Sequence, residues 1–63
     1  MYGIKFCGET PFWIYYDNQG LHTSGHPTIE CIWDEASIDA FLYNKNTDPR
    51  YKKTKLKLVE DNN

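Results

Sequence analysis

Cations are almost missing from the larger part of this chain: through residue 44 the sole lysine or arginine is Lys5. Glycine is equally sparse, with four residues set far apart. No loop can therefore cradle phosphates through consecutive backbone N–H groups in the P-loop or dinucleotide manner. There are two cysteines, Cys7 and Cys31, and neither has a close cysteine partner. That spacing lacks the paired-ligand signature of a zinc module. No stretch approaches the roughly 20 apolar residues of a membrane span. Met1 leads into "YGIKFC" without a basic start or an apolar core segment, so no secretory signal is read there. The expected setting is the cytoplasm, with both thiols reduced and serving as small buried hydrophobes.

What the chain does contain is aromatic surface. Of 63 residues, 16% are Phe, Trp or Tyr and 40% are hydrophobic. Residues 1–63 are read as a single small domain with a ring-rich core. A domain of this size buries only about 60% of the surface its unfolded chain exposes. Net charge is −2, which by itself implies neither a polyanion binder nor a nucleic-acid mimic. The distribution says more: "RYKKTKLK", from Arg50 to Lys57, holds five cations and no acid. An acidic body thus precedes a basic final segment.

Alternation marks "YGIKFC" as a strand, "GETP" as a turn and "FWIYYD" as a second strand, together a hairpin. A break follows at "NQG". "LHTSGHP" can begin as strand, but Ser24, Gly25 and Pro27 favour a loop, and "TIECIW", residues 28–33, reads as the third strand. Asp34 is an N-cap, with Trp33 and Ile38 at the spacing of a hydrophobic staple. Ile38, Phe41 and Leu42 form one apolar stripe on the helix that follows. Asn44 or Asn46 ends it, before "TDP". "YKKTKLKLVE", residues 51–60, returns to period two, with Leu56 and Leu58 on one side and Lys53, Lys55, Lys57 and Val59 on the other.

The expected fold is α+β: a four-stranded sheet in β-β-β-α-β order with one helix packed on one face. The third strand, helix and last strand form a right-handed crossover; if the first three strands meander, the last can pair with the first, and the strand order stays open. The helix-covered face then collects Ile4, Phe6, Phe12, Ile14, Ile29, Cys31, Leu56 and Leu58. The opposite face carries Trp13 and Tyr15 with Cys7, Ile32 and the lysines, and has no second helix above it. Such a face serves either cross-strand packing or contact with a partner. In the second reading Trp13, Tyr15 and Ile32 are the apolar anchors, and Lys53, Lys55 and Lys57 form a basic rim for an acidic partner surface.

No catalytic residue, metal site or cofactor is assigned. His22 and His26 have H-x3-H spacing and are weighed with Cys7 and Cys31 as a Cys2His2 set, but they lie in a loop, not on a helix. A Cys–His nucleophile pair oriented by Asp17 or Glu30 lacks a pocket of useful size. "HTSGH" lacks the strand-to-helix elbow of a serine hydrolase. The basic strand with rings beside it also suits single-stranded nucleic acid, against a pI of 5.5. Self-association is a further reading for so small a core.

The stretch "SIDAFLYNKNTDPRYKKTKLKLVE" resembles the C-terminal part of small bacteriophage and prophage proteins, with a compact helix, a polar "DPRYK" loop and a lysine–leucine strand. The resemblance implies context and no site residue: a non-enzymatic accessory protein acting in a bacterial cytoplasm, which binds and modulates or inhibits a host or defence protein.

Overall fold

The structure is a computed structural model and describes residues 1–58. Its elements are β1 (Tyr2–Phe6), β2 (Phe12–Asp17), β3 (Gly20–Ser24), a 3₁₀ turn (Ile29–Cys31), α1 (Glu35–Tyr43) and β4 (Tyr51–Lys55). The four strands form one sheet in the order β3-β2-β1-β4, and every neighbouring pair is antiparallel. The expected four-stranded α+β fold with one helix is the one observed. The first strand is interior and the last pairs with it, which settles a strand order that the sequence left open. The part of the expected final strand from Val59 to Glu60 lies outside the described residues.

The third strand is not where alternation placed it. Gly20, at φ +115°, closes a two-residue turn after Asp17, and β3 continues the hairpin with Leu21 opposite Tyr16 and Thr23 opposite Ile14. Residues 28–33 instead form a strap around the 3₁₀ turn. Leaving β3, residues 25–33 run back beneath the sheet. They rise beside β1 where Trp33 N–H donates to the Tyr2 carbonyl at 2.9 Å. There β1 and β2 have already parted, since their pairing spans only Ile4–Ile14 to Phe6–Phe12. The helix then returns along the upper face, and β4 runs antiparallel to β1. The expected crossover to a parallel fourth strand is thereby replaced by strap, sheet and helix in three layers.

Helix α1 begins as its sequence dictates. Asp34 is extended (φ −77°, ψ 153°), and its carboxylate accepts from Ser37 N–H at 3.0 Å and Ser37 Oγ at 2.8 Å. These bonds satisfy N–H and hydroxyl donors that the first turn otherwise leaves without partners. Ile38 faces down and is fully buried with Ile4 and Ile14, and Phe12, Trp33, Phe41, Leu42 and Tyr51 pack around them. At the far end Thr47 Oγ1 donates to the Phe41 carbonyl at 2.7 Å.

A second apolar cluster sits on the underside. Trp13, Cys31 and Leu56 are its buried members, with Tyr15, Ile32 and Leu58 against them. Gly3 is what lets the strap come this close: a Cβ there would lie 2.5 Å from the Cys31 carbonyl oxygen and 2.8 Å from Leu56 Cδ2. Leu56 N–H donates to the Met1 carbonyl at 3.0 Å, which carries β4 on into this layer.

Candidate docking site

The expected docking face is covered. Trp13 keeps 6% of its surface and is sealed under Cys31 and Leu56, so it cannot anchor a partner. Tyr15 and Ile32 are half-buried against the same cluster, and the Tyr15 ring stacks on His22 at 5.2 Å. The phase of β4 is also opposite to the expected one. Lys53 is paired with Ile4 and Lys55 with Tyr2, so both project to the helix side, while Leu56 joins the underside. Lys53 Nζ donates to Glu35 Oε2 at 2.9 Å and lies 4.7 Å from the centre of the Tyr2 ring. The Glu35 carboxylate raises the Lys53 pKa, and the ammonium in turn lowers that of Glu35. Lys57 is exposed beyond the strand. The six residues singled out from sequence are therefore not brought together: Trp13, Tyr15 and Ile32 lie on the underside, Lys53 and Lys55 on the helix side and Lys57 past the end of β4. The lysine on the underside near Trp13 is Lys5, 5.6 Å from that ring and paired with Lys52.

The open apolar surface lies on the same side as the helix. An α-helix is about 10 Å across and strands are about 4.8 Å apart, so a single helix spans roughly two strands. Here α1 lies over β1 and β4. On β2 the helix reaches as far as Ile14 through Ile38, and beside it Trp33 packs with its indole Nε1–H donating to the Ile14 carbonyl at 2.9 Å. Beyond Trp33 the cross-strand neighbours Tyr16 and Leu21 remain 58% and 47% exposed. Tyr16 meets Trp33 edge to face, ring centres 5.7 Å apart. Tyr16, Trp33 and Ile32, with Glu30, Asp34 and Ser37, line a cleft of about 230 Å³. The Thr28 hydroxyl holds the Glu30 carboxyl below its ordinary pKa, and the Ser37 hydroxyl and N–H do the same for Asp34. Both groups are anionic at neutral pH.

The sheet ends differently at its two sides. β3 forms one edge and carries no lysine, arginine or carboxylate, while β4 forms the other and carries Lys52, Lys53 and Lys55. Lysines on an edge strand discourage further strand pairing, and β3 has no such protection. In the ladder to β2 the Asp17–Gly20 pair closes the turn. Hydrogen-bonded pairs alternate from there, so the N–H and C=O of Leu21 and Thr23 point away from β2.

The remaining candidates stay apart. His22 Nε2 is 2.7 Å from Asp17 Oδ1, and the Gln19 N–H, also at 2.7 Å, is the main reason the Asp17 carboxyl lies below its ordinary pKa. His26 is exposed in the strap, Cys7 is exposed and Cys31 is buried. Among the described residues no group of three or more His, Cys, Asp or Glu side chains is placed to hold a metal ion. No helix among them is long and apolar enough to cross a membrane.

Sequence reasoning missed Tyr16 and Leu21 as surface residues. A single helix is too narrow to cover four strands, which signals that part of the sheet stays open but not which part. Comparison with protein-family models, curated proteins and solved structures finds no match to this chain.

Proposed function

We propose that this protein is a non-enzymatic binding module that docks on another protein through Tyr16, Leu21 and the Trp33 cleft, beside the unprotected edge of β3. The supporting observation is the exposed Tyr16–Leu21 pair beyond Ile14, where α1 does not reach across the sheet. Tyrosine and tryptophan are enriched at interface hot spots, and an open strand edge offers main-chain pairing in addition. The role is that of a small phage-type accessory protein acting on a host or defence protein, the context the C-terminal resemblance implies. The anchors are Tyr16, Leu21 and Trp33 in place of the sealed Trp13.

Immobilised protein tests the reading in nuclease-treated bacterial lysate. A protein partner is expected to be retained by the native chain. It should be retained about tenfold less by Tyr16→Ala or Leu21→Ala, the loss typical of a hot-spot side chain. Tyr43→Ala removes a ring that is 92% exposed outside the site and should change nothing. Equal retention by the Tyr16 and Leu21 variants would refute the surface. Capture abolished by nuclease would shift the function to nucleic acid.

A further inference from the structure

The Trp33 cleft has a chemistry more specific than apolar docking. Two aromatic rings set edge to face, Tyr16 and Trp33, line it together with the acidic residues Glu30 and Asp34. Among the described residues no lysine, arginine or histidine lines it. Among the described residues the ion pairs join Arg50 to Asp48 and Lys53 to Glu35, and His22 contacts Asp17, so neither Glu30 nor Asp34 has a cationic partner there. Asp34 is tied to Ser37, which donates hydrogen bonds but brings no positive charge.

Rings and carboxylates together favour one type of group. An aromatic face attracts a cation, and guanidinium or ammonium donors satisfy carboxylates through charge-assisted bonds. The aliphatic stem of lysine or arginine packs on apolar surface while its head reaches a charged group. A volume of about 230 Å³ is on the scale of one such side chain and smaller than the usual 300–1,000 Å³ small-molecule site. The cleft opens beside Tyr16, so a partner seated on Tyr16 and Leu21 would present its side chains there.

We propose that the cleft between Tyr16 and Trp33 is a socket for one lysine or arginine side chain of the partner protein, with Glu30 and Asp34 as its counter-ions. The proposal rests on the docking reading above and names the chemistry its partner must offer. The uncharged Leu21 and the rings set the position of the partner, and the carboxylates select for a basic residue.

The test uses the intact chain, isotope-labelled, titrated at low salt with acetyl-Ala-Arg-Ala-amide and with its citrulline counterpart, which has the same shape without the charge. The arginine peptide is expected to shift the Trp33 indole and the Glu30 and Asp34 amides saturably while leaving the Trp13 indole unmoved. Citrulline should bind about tenfold more weakly, as expected for loss of a charge-assisted bond. Glu30→Gln combined with Asp34→Asn should weaken the arginine peptide to a similar degree, and asparagine retains the helix cap. Equal response to citrulline, shifts spread over the β4 lysines, or an unchanged affinity in the double variant would overturn the proposal. The same shifts produced by calcium alone would assign the carboxylates to a metal instead. Concentration-dependent self-association that the double variant abolishes would give the socket to a second copy of the chain. A lysate partner lost on Tyr16→Ala but kept by the double variant would sink the socket while leaving the docking surface standing.

Discussion

At Gly3 a hydrogen atom decides whether the strap can lie on the sheet. Gly3→Ala forces a methyl against a backbone oxygen 2.5 Å away, and backbone yields less readily than a side-chain tip. It should destabilise by about 1–3 kcal/mol in urea denaturation, the usual cost of overpacking. Gly25→Ala is the control: nothing lies within 4 Å of its added carbon, and its φ is not positive. That variant should be neutral or more stable by up to about 1 kcal/mol, because it restricts the unfolded chain. Trp13→Ala should cost about 3–5 kcal/mol by the same measurement, as for other buried aromatic truncations. Asp48 sets a pH response. Arg50 holds its carboxyl at about 2 against an ordinary 3.8, through a 2.7 Å bond from Nη2 and a second from the Arg50 N–H. A depressed carboxyl favours the folded state above the unfolded pKa and loses that effect as pH falls through the folded one. The contribution should thus be complete above about pH 4 and fade toward pH 2. NMR titration should place the Asp48 midpoint near 2, and Arg50→Ala should return it toward its ordinary value.

Elements differed in how far local sequence determined them. The start of α1 was legible because capping is a contact between Asp34 and its own first turn. Asp34→Ala should therefore cost about 1 kcal/mol of stability, read by thermal melting. The first hairpin was legible for the same reason, with its partners adjacent in sequence. The phase of β4 was not legible. Its apolar residues fall on both parities, Tyr51 on one and Leu56 with Leu58 on the other, and alternation alone cannot rank them. Tyr51 decides, because its ring packs edge-on against Phe6, Phe12 and Phe41, at 5.1, 6.4 and 5.4 Å. A one-residue shift of phase exchanges every side chain between faces, so this single contact set moved Lys53 and Lys55 to the helix side. Residues 28–33 failed differently. Ile29, Cys31 and Trp33 have strand spacing, yet Ile29 stands 69% exposed while Cys31 is fully buried, because the chain turns between them.

For the molecule as a whole, a single sheet supports two small cores. The helix covers Ile4 and Ile14 from above, and the strap with Leu56 covers Trp13 from below. The aromatic richness of "FWIYYD" serves this arrangement: Phe12 and Ile14 go up, and Trp13 and Tyr15 go down. Tyr16 is the ring left over, beside Leu21 where α1 does not reach. Fold class and helix position could be read from alternation and capping. The candidate site could not, because it depends on where a nine-residue helix comes to rest across four strands.

The interior position of β1 has a consequence for truncation. Its neighbour on one side, β2, follows within a few residues, but its neighbour on the other, β4, is the last of the elements in chain order. A fragment that ends at Asn44 contains β1, β2 and β3, yet it leaves the far flank of β1 bare and Trp13 without Leu56 beneath it. Such a truncated fragment turns an interior strand of the finished sheet into an open edge, prone to pair with its own kind.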